Sequence, residues 1–502
     1  MLQGNPTLEA DVVLEPIDLR ASPGAVLELI AGEEDPVLLD SSALHEQYGR
    51  FSIVACCPLE VLVLREGVLR NRSDQVLAAD DDEAIWRALS EALSAVRLTC
   101  PAPVGYVPGW IGYVGYEVGR HIERLPGRAV RDTHLPDLRL AFHDSLLVYD
   151  AVRDRWALAE LSFADPPGSA GRAGRVLRKV AARARLLPDG AVPQPADRAD
   201  ASARATIEDA KPNFTPRQYQ KTVAKCIDYI AAGDIFQVNL SQRFAVEPCP
   251  SPLDIYRTLR RRNPAWYAAY LSFQAAGRPC AVLSSSPELF LRVRDGRVIT
   301  RPIKGTRPRV GVAATDTAAM ADLLASPKDN AELAMIIDLL RNDLGRLCRF
   351  GTIRVAEPRR LETHPTVFHL VGTVEGVLRE NVGPAELLRA TLPGGSITGA
   401  PKIRAMEIID ELEGVARGVY TGCVGIVSVN GACEWNIAIR TIICEDDRAL
   451  LQVGGGIVAD SDPVGEYDET LHKARAMLEA IAEARCGPPL GHRAVQSRSA
   501  PI

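Results

Sequence analysis

The 502-residue sequence contains no apolar run long enough to span a bilayer. Its first residues, MLQGNPTLEADVVLEP, lack the basic segment and following apolar core of a secretory leader. The 11 cysteines, scattered from Cys56 to Cys486, form no CxxC pair, and Cys56 and Cys57 are adjacent. Neither a zinc site nor a disulfide framework is implied, and a reducing, cytoplasmic setting is expected. A clustered basic excess is also lacking: 58 Lys and Arg stand against 64 Asp and Glu, a net charge of −6. Nucleic acid and membrane surfaces are therefore not expected as partners. There is no internal repeat, and no GxxxxGK[ST] loop to imply ATP.

What is present is the composition of a large soluble globular chain, 47% apolar and 24% charged. Residues 187–213, rich in Ala, Pro and Asp without apolar periodicity, read as an exposed, poorly ordered connector, and the tail 486–502 as frayed. Short β-rich runs precede the connector (Leu59 to Leu69; LRLAFHDSLLVYD). After it, three helices are expected. Thr215–Pro216 caps a run carrying Tyr219, Val223, Cys226, Ile227 and Ile230 up to Gly233. Lys328 to Gly345 places Leu333, Ile336, Ile337, Leu340 and Leu344 on one stripe, and Glu466 to Arg485 repeats the pattern. The runs AVLSSS, RVITRPI, VGIVSV, NIAIRTII and ALLQVGGGIV between them read as strands. Helices and strands without strict alternation favour an α+β fold.

Several residues stand out chemically. Glu466, Glu469 and Lys473 share a helix face, and Glu332 borders the apolar stripe of its own helix. Such carboxylates either form a solvated face or converge on a hard cation. The loop LPGGSITGAPK precedes a helical run; it is either a plain turn or a set of backbone N–H groups offered to an anion. Gly454–Gly456 in a strand imply close approach of a ligand or another segment. Arg440, read as the middle of the strand NIAIRTII, calls for an anion, either a structural carboxylate or a substrate's. Lys304 in RPIKGTRPR is an ordinary surface lysine unless burial lowers its pKa.

Taken together, SPELF, RPIKGTRPR, KDNAELAMIIDLLRNDLGR, HLVGTVEG, LPGGSITGAPK, NIAIRT and GGGIVADSDPVGEYDET resemble the chorismate-utilising enzymes. That family includes anthranilate synthase component I, aminodeoxychorismate synthase component I, and the isochorismate and salicylate synthases. LLDSSALHEQYGRFSI and GWIGYVGYEVGRHIERLP extend the likeness to the N-terminal half, so that 10–186 resembles the N-terminal region of the amidotransferase-associated members and 214–485 their chorismate-binding region. The resemblance implies one intertwined α+β unit, two antiparallel β-sheets packed as a sandwich with flanking helices. Gln237 stands where isochorismate and salicylate synthases carry a water-activating lysine, which points to ammonia as the nucleophile. Lys304 stands where anthranilate synthases and most other members have alanine, and is the hallmark of the aminodeoxychorismate branch. Together they imply amination at C4, with anthranilate synthesis as the alternative and a catalytically silent binding subunit as a further one.

The resemblance also implies the site. Mg²⁺ would be held by Glu332 and Glu469 with Glu466 beside them. Lys304 is the implied nucleophile and Glu288 the acid, with His369 near the leaving hydroxyl. Tyr420 and Arg440 would hold the enolpyruvyl carboxylate, and Thr398, Lys473, Gly455 and Gly456 the remaining anion site, with Gly305 and Thr306 on the wall beside Lys304. No GxCxG nucleophile elbow occurs, so a separate glutaminase subunit is the expected source of ammonia, and a fused lyase is not expected. Ser41 and NPAWYAAY would border a tryptophan pocket of the family, but Trp266 replaces a usual second proline and no regulation through that pocket is expected.

Overall fold

A computed structural model describes residues 7–101, 105–185, 209–364 and 367–486. It contains two large sheets, of 13 and 12 strands, flanked by helices. Both halves of the chain supply strands to each. In the first sheet Tyr267–Ala275 pairs with Val37–Asp40; in the second, Cys423–Ser428 pairs with Gly109–Val114. The regions before and after the connector are thus one unit, as expected for α+β. The sheets are antiparallel apart from one edge pair in the first: Leu8–Ile17 runs parallel to Val96–Leu98.

Helix positions follow the apolar periodicity. Pro216–Ala231 starts at a full capping box, with Thr215 and Gln218 bonding reciprocally. Its buried side chains are Tyr219, Val223 and Cys226. Pro327–Gly345 buries Leu333, Ile336, Ile337, Leu340 and Leu344, the expected stripe. That helix lies on the strand Val367–Val377 at Gly372, where a Cβ would come within 2.6 Å of Ile337 Cδ1. Pro463–Arg485 buries Ala474, Met477, Leu478 and Ile481.

Two expectations change. The run NIAIRTII is not one strand. Asn436 ends a strand of the second sheet and Thr441 begins a strand of the first, with Ile437–Arg440 crossing between them. Alternation of apolar residues cannot distinguish a strand from an apolar crossover buried between two sheets. The connector also ends earlier than Asn213. Residues 186–208 and the tail from 487 lie outside the described residues, but Lys211–Pro212 form an edge strand against Phe244–Ala245. Asn213 donates its backbone N–H to Arg243 O.

A second crossover lies beside the first. Arg278–Ser286 belongs to the first sheet and Leu289–Arg294 to the second, so Glu288 sits at the transition. The two are bonded together: Ile437 N to Glu288 O at 3.0 Å, Ser285 N to Arg440 O at 3.0 Å, and Ser286 Oγ to Ile437 O at 2.6 Å.

Because Ile337 fills the space above Gly372, Ile337→Ala leaves a cavity that the sheet cannot close. Chemical denaturation is expected to give a loss of about 2–5 kcal/mol; a loss below about 0.5 kcal/mol would mean that the helix is not held by this stripe.

Candidate active site

Most of the side chains expected to form the site gather where the two crossovers meet the strand Arg448–Ile457. That strand pairs with Gln237–Val246, setting Gly454 opposite Ser241 and Gly456 opposite Asn239. The three glycines are explained one by one. A Cβ on Gly454 would overlap Leu240 O in the neighbouring strand. On Gly455 it would lie 3.1 Å from Glu466 Oε2 and 3.6 Å from Glu469 Oε1. On Gly456 it would run into the Gln237 amide and come 3.3 Å from Lys304 Nζ. The last two therefore open onto functional groups.

Lys304 lies in the edge strand Ile303–Pro308 of the second sheet, and its side chain is only 11% exposed, with Nζ 3.8 Å from Glu332 Oε2. Desolvation lowers its pKa against the pull of Glu332 and Glu288. Gly305, at φ +76°, makes a bulge that shifts the register, so Thr306 pairs with His369. The Thr306 hydroxyl is 2.9 Å from His369 Nδ1. His369 is buried, and desolvation holds it well below the ordinary imidazole value, with Arg440 adding to the effect, so it is neutral.

Glu288 is buried with its carboxyl accepting from Ser396 Oγ at 2.7 Å, and burial raises its pKa to about 7. Arg440, at the end of the crossover with φ 49°, makes no ion pair within 4 Å and no side-chain hydrogen bond among the described residues. Burial lowers its pKa, with Glu288 the opposing charge. A desolvated guanidinium without a close carboxylate is a ready site for an anion.

The carboxylates collect on the other side. Glu466 accepts from Ser461 Oγ at 2.6 Å and stands 3.8 Å from Lys328 Nζ; Glu469 pairs with Lys473 Nζ at 2.7 Å. Burial, with Glu469 nearby, raises Glu332 and Glu466. Among the described residues no three Asp, Glu, His or Cys side chains stand close enough to form a finished metal cage. The donor set, oxygen-only and mutually repelling with lysines as its counter-charges, does fit a hard divalent cation by charge and type.

The remaining expected residues are placed as follows. Gln237 is buried with its Oε1 unpartnered. Tyr420 is buried beside Asn239. Lys473 also donates to Gly454 O at 2.7 Å. Thr398 is buried, but its hydroxyl donates to Gly394 O at 3.0 Å and so serves the loop. Ser41 lies apart, donating to Phe51 O at 2.7 Å in a small cavity bordered by Trp266 and Tyr267. Ser396, Ser461 and Lys328 were not singled out from the sequence. Serine is a common loop residue, and only the position of its carboxylate partner reveals its role.

The model of chorismate binding enzymes matches residues 46–479. The chain belongs to that family. It is an enzyme acting on chorismate. It is 38% identical to anthranilate synthase component 1 of Thermus thermophilus, over 94% of this chain and 97% of that protein. It is also 38% identical to anthranilate synthase component 1 of Pseudomonas aeruginosa, over 92% and 93%. The structure of anthranilate synthase component I from Streptococcus pneumoniae superimposes with a TM-score of 0.71 at 32% identity, covering 87% of this chain and 94% of that one.

Because Arg440 lacks a close protein counter-ion, its partner is expected to be a carboxylate of the ligand. Arg440→Gln should weaken chorismate binding by roughly thirtyfold or more in equilibrium titration, with little change in thermal stability; unchanged affinity would mean that Arg440 faces no ligand carboxylate.

Proposed function

We propose that this enzyme aminates chorismate at C4, yielding 4-amino-4-deoxychorismate, the precursor of p-aminobenzoate and folate, with ammonia from a separate glutaminase subunit. The observation that carries this reading is the buried pair of Lys304, with its pKa lowered, and Glu288, raised to about 7. A nucleophilic amine and a carboxylic acid must coexist in the site, and desolvation moves both groups toward their neutral forms.

In this mechanism Lys304 Nζ forms a bond to C2 of the ring diene, both ring double bonds shift (C1=C2 to C1=C6 and C5=C6 to C4=C5), and the C4–O bond breaks while Glu288 gives its proton to the hydroxyl, which departs as water. Ammonia then bonds to C4, both double bonds return, and the C2–N bond to Lys304 breaks; the proton lost from the new ammonium restores Glu288. Arg440 and Tyr420 hold the enolpyruvyl carboxylate, and His369, uncharged, stands by the leaving oxygen. Gln237 has an amide in place of a basic amine and cannot activate water as a base, which favours ammonia. Glu332, Glu466 and Glu469 would hold Mg²⁺, which when bound supplies positive charge to the ring carboxylate.

A second reading is amination at C2, giving anthranilate. The names of the relatives favour it. A product assay separates the two: chorismate, Mg²⁺ and an ammonium salt at alkaline pH, with and without an aminodeoxychorismate lyase. Lyase-dependent p-aminobenzoate, lost on EDTA treatment and in Lys304→Ala, is expected. Anthranilate fluorescence without the lyase would assign C2 instead and remove Lys304 as the nucleophile.

The pH dependence follows from the pair. The reactive form carries one proton, on Glu288, and differs from the ammonium–carboxylate ion pair only by where that proton sits. Its fraction is therefore constant between the two pKa values. As pH falls through about 7, Glu288 takes up the second proton of the pair and Lys304 is held as ammonium, so activity declines. At fixed free ammonia, kcat/KM for chorismate should rise up to about pH 7 and then level. A flat profile from pH 6 to 8 would contradict the assignment, as would a loss of less than about a hundredfold in Glu288→Gln.

A further inference from the structure

His369 reaches the site from the strand Val367–Val377, and its far side is covered by a second imidazole. The ring of His364 lies 5.0 Å from that of His369, centroid to centroid, edge-on at 69°. On its other face His364 meets the indole of Trp266 at 4.4 Å. His364 Nε2 is 3.7 Å from Glu362 Oε2, and Glu362 in turn is ion-paired to Arg301. Backbone contacts fix the segment as well: His364 N donates to Val367 O at 2.9 Å, and Arg309 Nη1 donates to His364 O at 3.3 Å. Trp266, Arg301, Glu362, His364 and His369 are all buried. The row from Arg301 through Glu362 and His364 ends on the imidazole beside the reacting atoms, and no step of the mechanism above uses its first three members.

A neutral imidazole has two tautomers and two ring orientations, and only one combination presents a given nitrogen to a substrate. On one side the Thr306 hydroxyl and the backbone of Gly305 engage His369. The ring of His369 also packs against that of His364. His364 supplies that contact: its ring is packed against both Trp266 and His369, and Glu362 Oε2 stands 3.7 Å from its Nε2, a charge close by but not a hydrogen bond. A bulky indole at position 266 thereby acquires a role, as the backing plate of that ring.

We propose that His364 is a positioning residue for His369, held in place by Glu362 and Trp266, that locks the ring orientation and tautomer of His369 in the active site. This rests on the reading of His369 as a group beside the reacting atoms.

The test is a double-mutant cycle on chorismate consumption, whichever product forms, paired with ¹⁵N NMR of the histidine rings. His364→Phe keeps an aromatic wedge without the Glu362 contact; His364→Gln keeps a polar contact without the ring and guards against a folding failure of the first variant. Each should lower kcat roughly ten- to a hundredfold, the scale of a misplaced catalytic group, with KM for chorismate within about twofold. In a His369→Ala background the same changes should cost less than about twofold, because there is nothing left to position. In the resting protein, the ¹⁵N signals assigned to His369 by their loss in His369→Ala should move from one tautomer to a mixture. Equal losses in both backgrounds, or an unchanged His369 spectrum, would overturn the proposal. The NMR readout needs no turnover, so a chain that consumed no chorismate would defeat the functional reading while leaving the coupling itself measurable.

Discussion

The site depends on one buried guanidinium that touches none of the proposed reacting groups. Arg417 has five N–H donors, and all five are used. Nε and Nη2 donate to the two oxygens of Glu413 at 2.9 and 2.6 Å, and Nη2 also to Asn239 O at 2.6 Å. Nη1 donates to Ile397 O at 3.0 Å and Thr421 Oγ1 at 3.2 Å. Beside Glu413, at the end of the helix Lys402–Leu412, the acceptors belong to three site-bearing segments: the strand that carries Gln237, the loop that carries Ser396, and the turn that carries Tyr420. A pair of this kind, each side chain 1% exposed, gives no assurance of net stability, since desolvation offsets much of the attraction. What it does give is specificity of position. Each donor has one acceptor within reach, and any rearrangement of the three segments leaves a buried charge or carbonyl unpaired.

On that frame the two crossovers do the chemical work. Passing from one sheet to the other brings Glu288 and Arg440 into the space between the sheets, where backbone hydrogen bonds between the crossovers leave little room for relaxation. The same desolvation then acts in opposite senses on groups of opposite type. It raises the Glu288 carboxyl and lowers the Lys304 amine, while it leaves Arg440, with the highest intrinsic pKa, charged and in need of a carboxylate. In the proposed reading, one physical condition thus prepares an acid, a nucleophile and an anion receptor. The open side, where Glu469 and Lys473 are exposed, is where charge is left solvated.

How much of this was legible in the sequence differs by element. The helix stripes were, because burial against a sheet selects the 3.6-residue period directly: the five apolar residues from Leu333 to Leu344 are those found buried. The carboxylate face of the last helix was too, since i, i+3 spacing survives folding unchanged. Arg440 was wrongly placed in a strand. A crossover packed between two sheets is as apolar on alternate residues as a strand, and only the pairing partners distinguish them. The family resemblance implies Thr398 as part of the anion site, and its hydroxyl donates to Gly394 O, because a tight loop first satisfies its own carbonyls. Ser396, Arg417 and His364 were not legible, since each depends on at least one partner far along the chain: Glu288 for Ser396, Asn239 for Arg417 and Trp266 for His364.

The same distinction explains why overall likeness and site chemistry point to different carbons of the substrate. In the proposed reading, sheets, crossovers, carboxylate face and guanidinium all serve to bind chorismate, whichever carbon is aminated, and they account for most of the chain. Identity of 38% over nearly the full length therefore measures the shared binding apparatus. The choice of carbon needs only a group that reaches the ring from the correct side, and a primary amine at the end of an edge strand is such a group. Lys304 Nζ stands beside Gly456 and the Gln237 amide, where those two residues have left space for it. In the proposed reading a neutral lysine there offers its lone pair to the ring, whereas an alanine would leave the same space to ammonia. A surface lysine with no such role would have reached solvent rather than accept burial next to Glu332. Desolvating an amine is unfavourable unless the site uses the resulting nucleophile or tightly pairs its charge, and at 3.8 Å the pairing with Glu332 is loose.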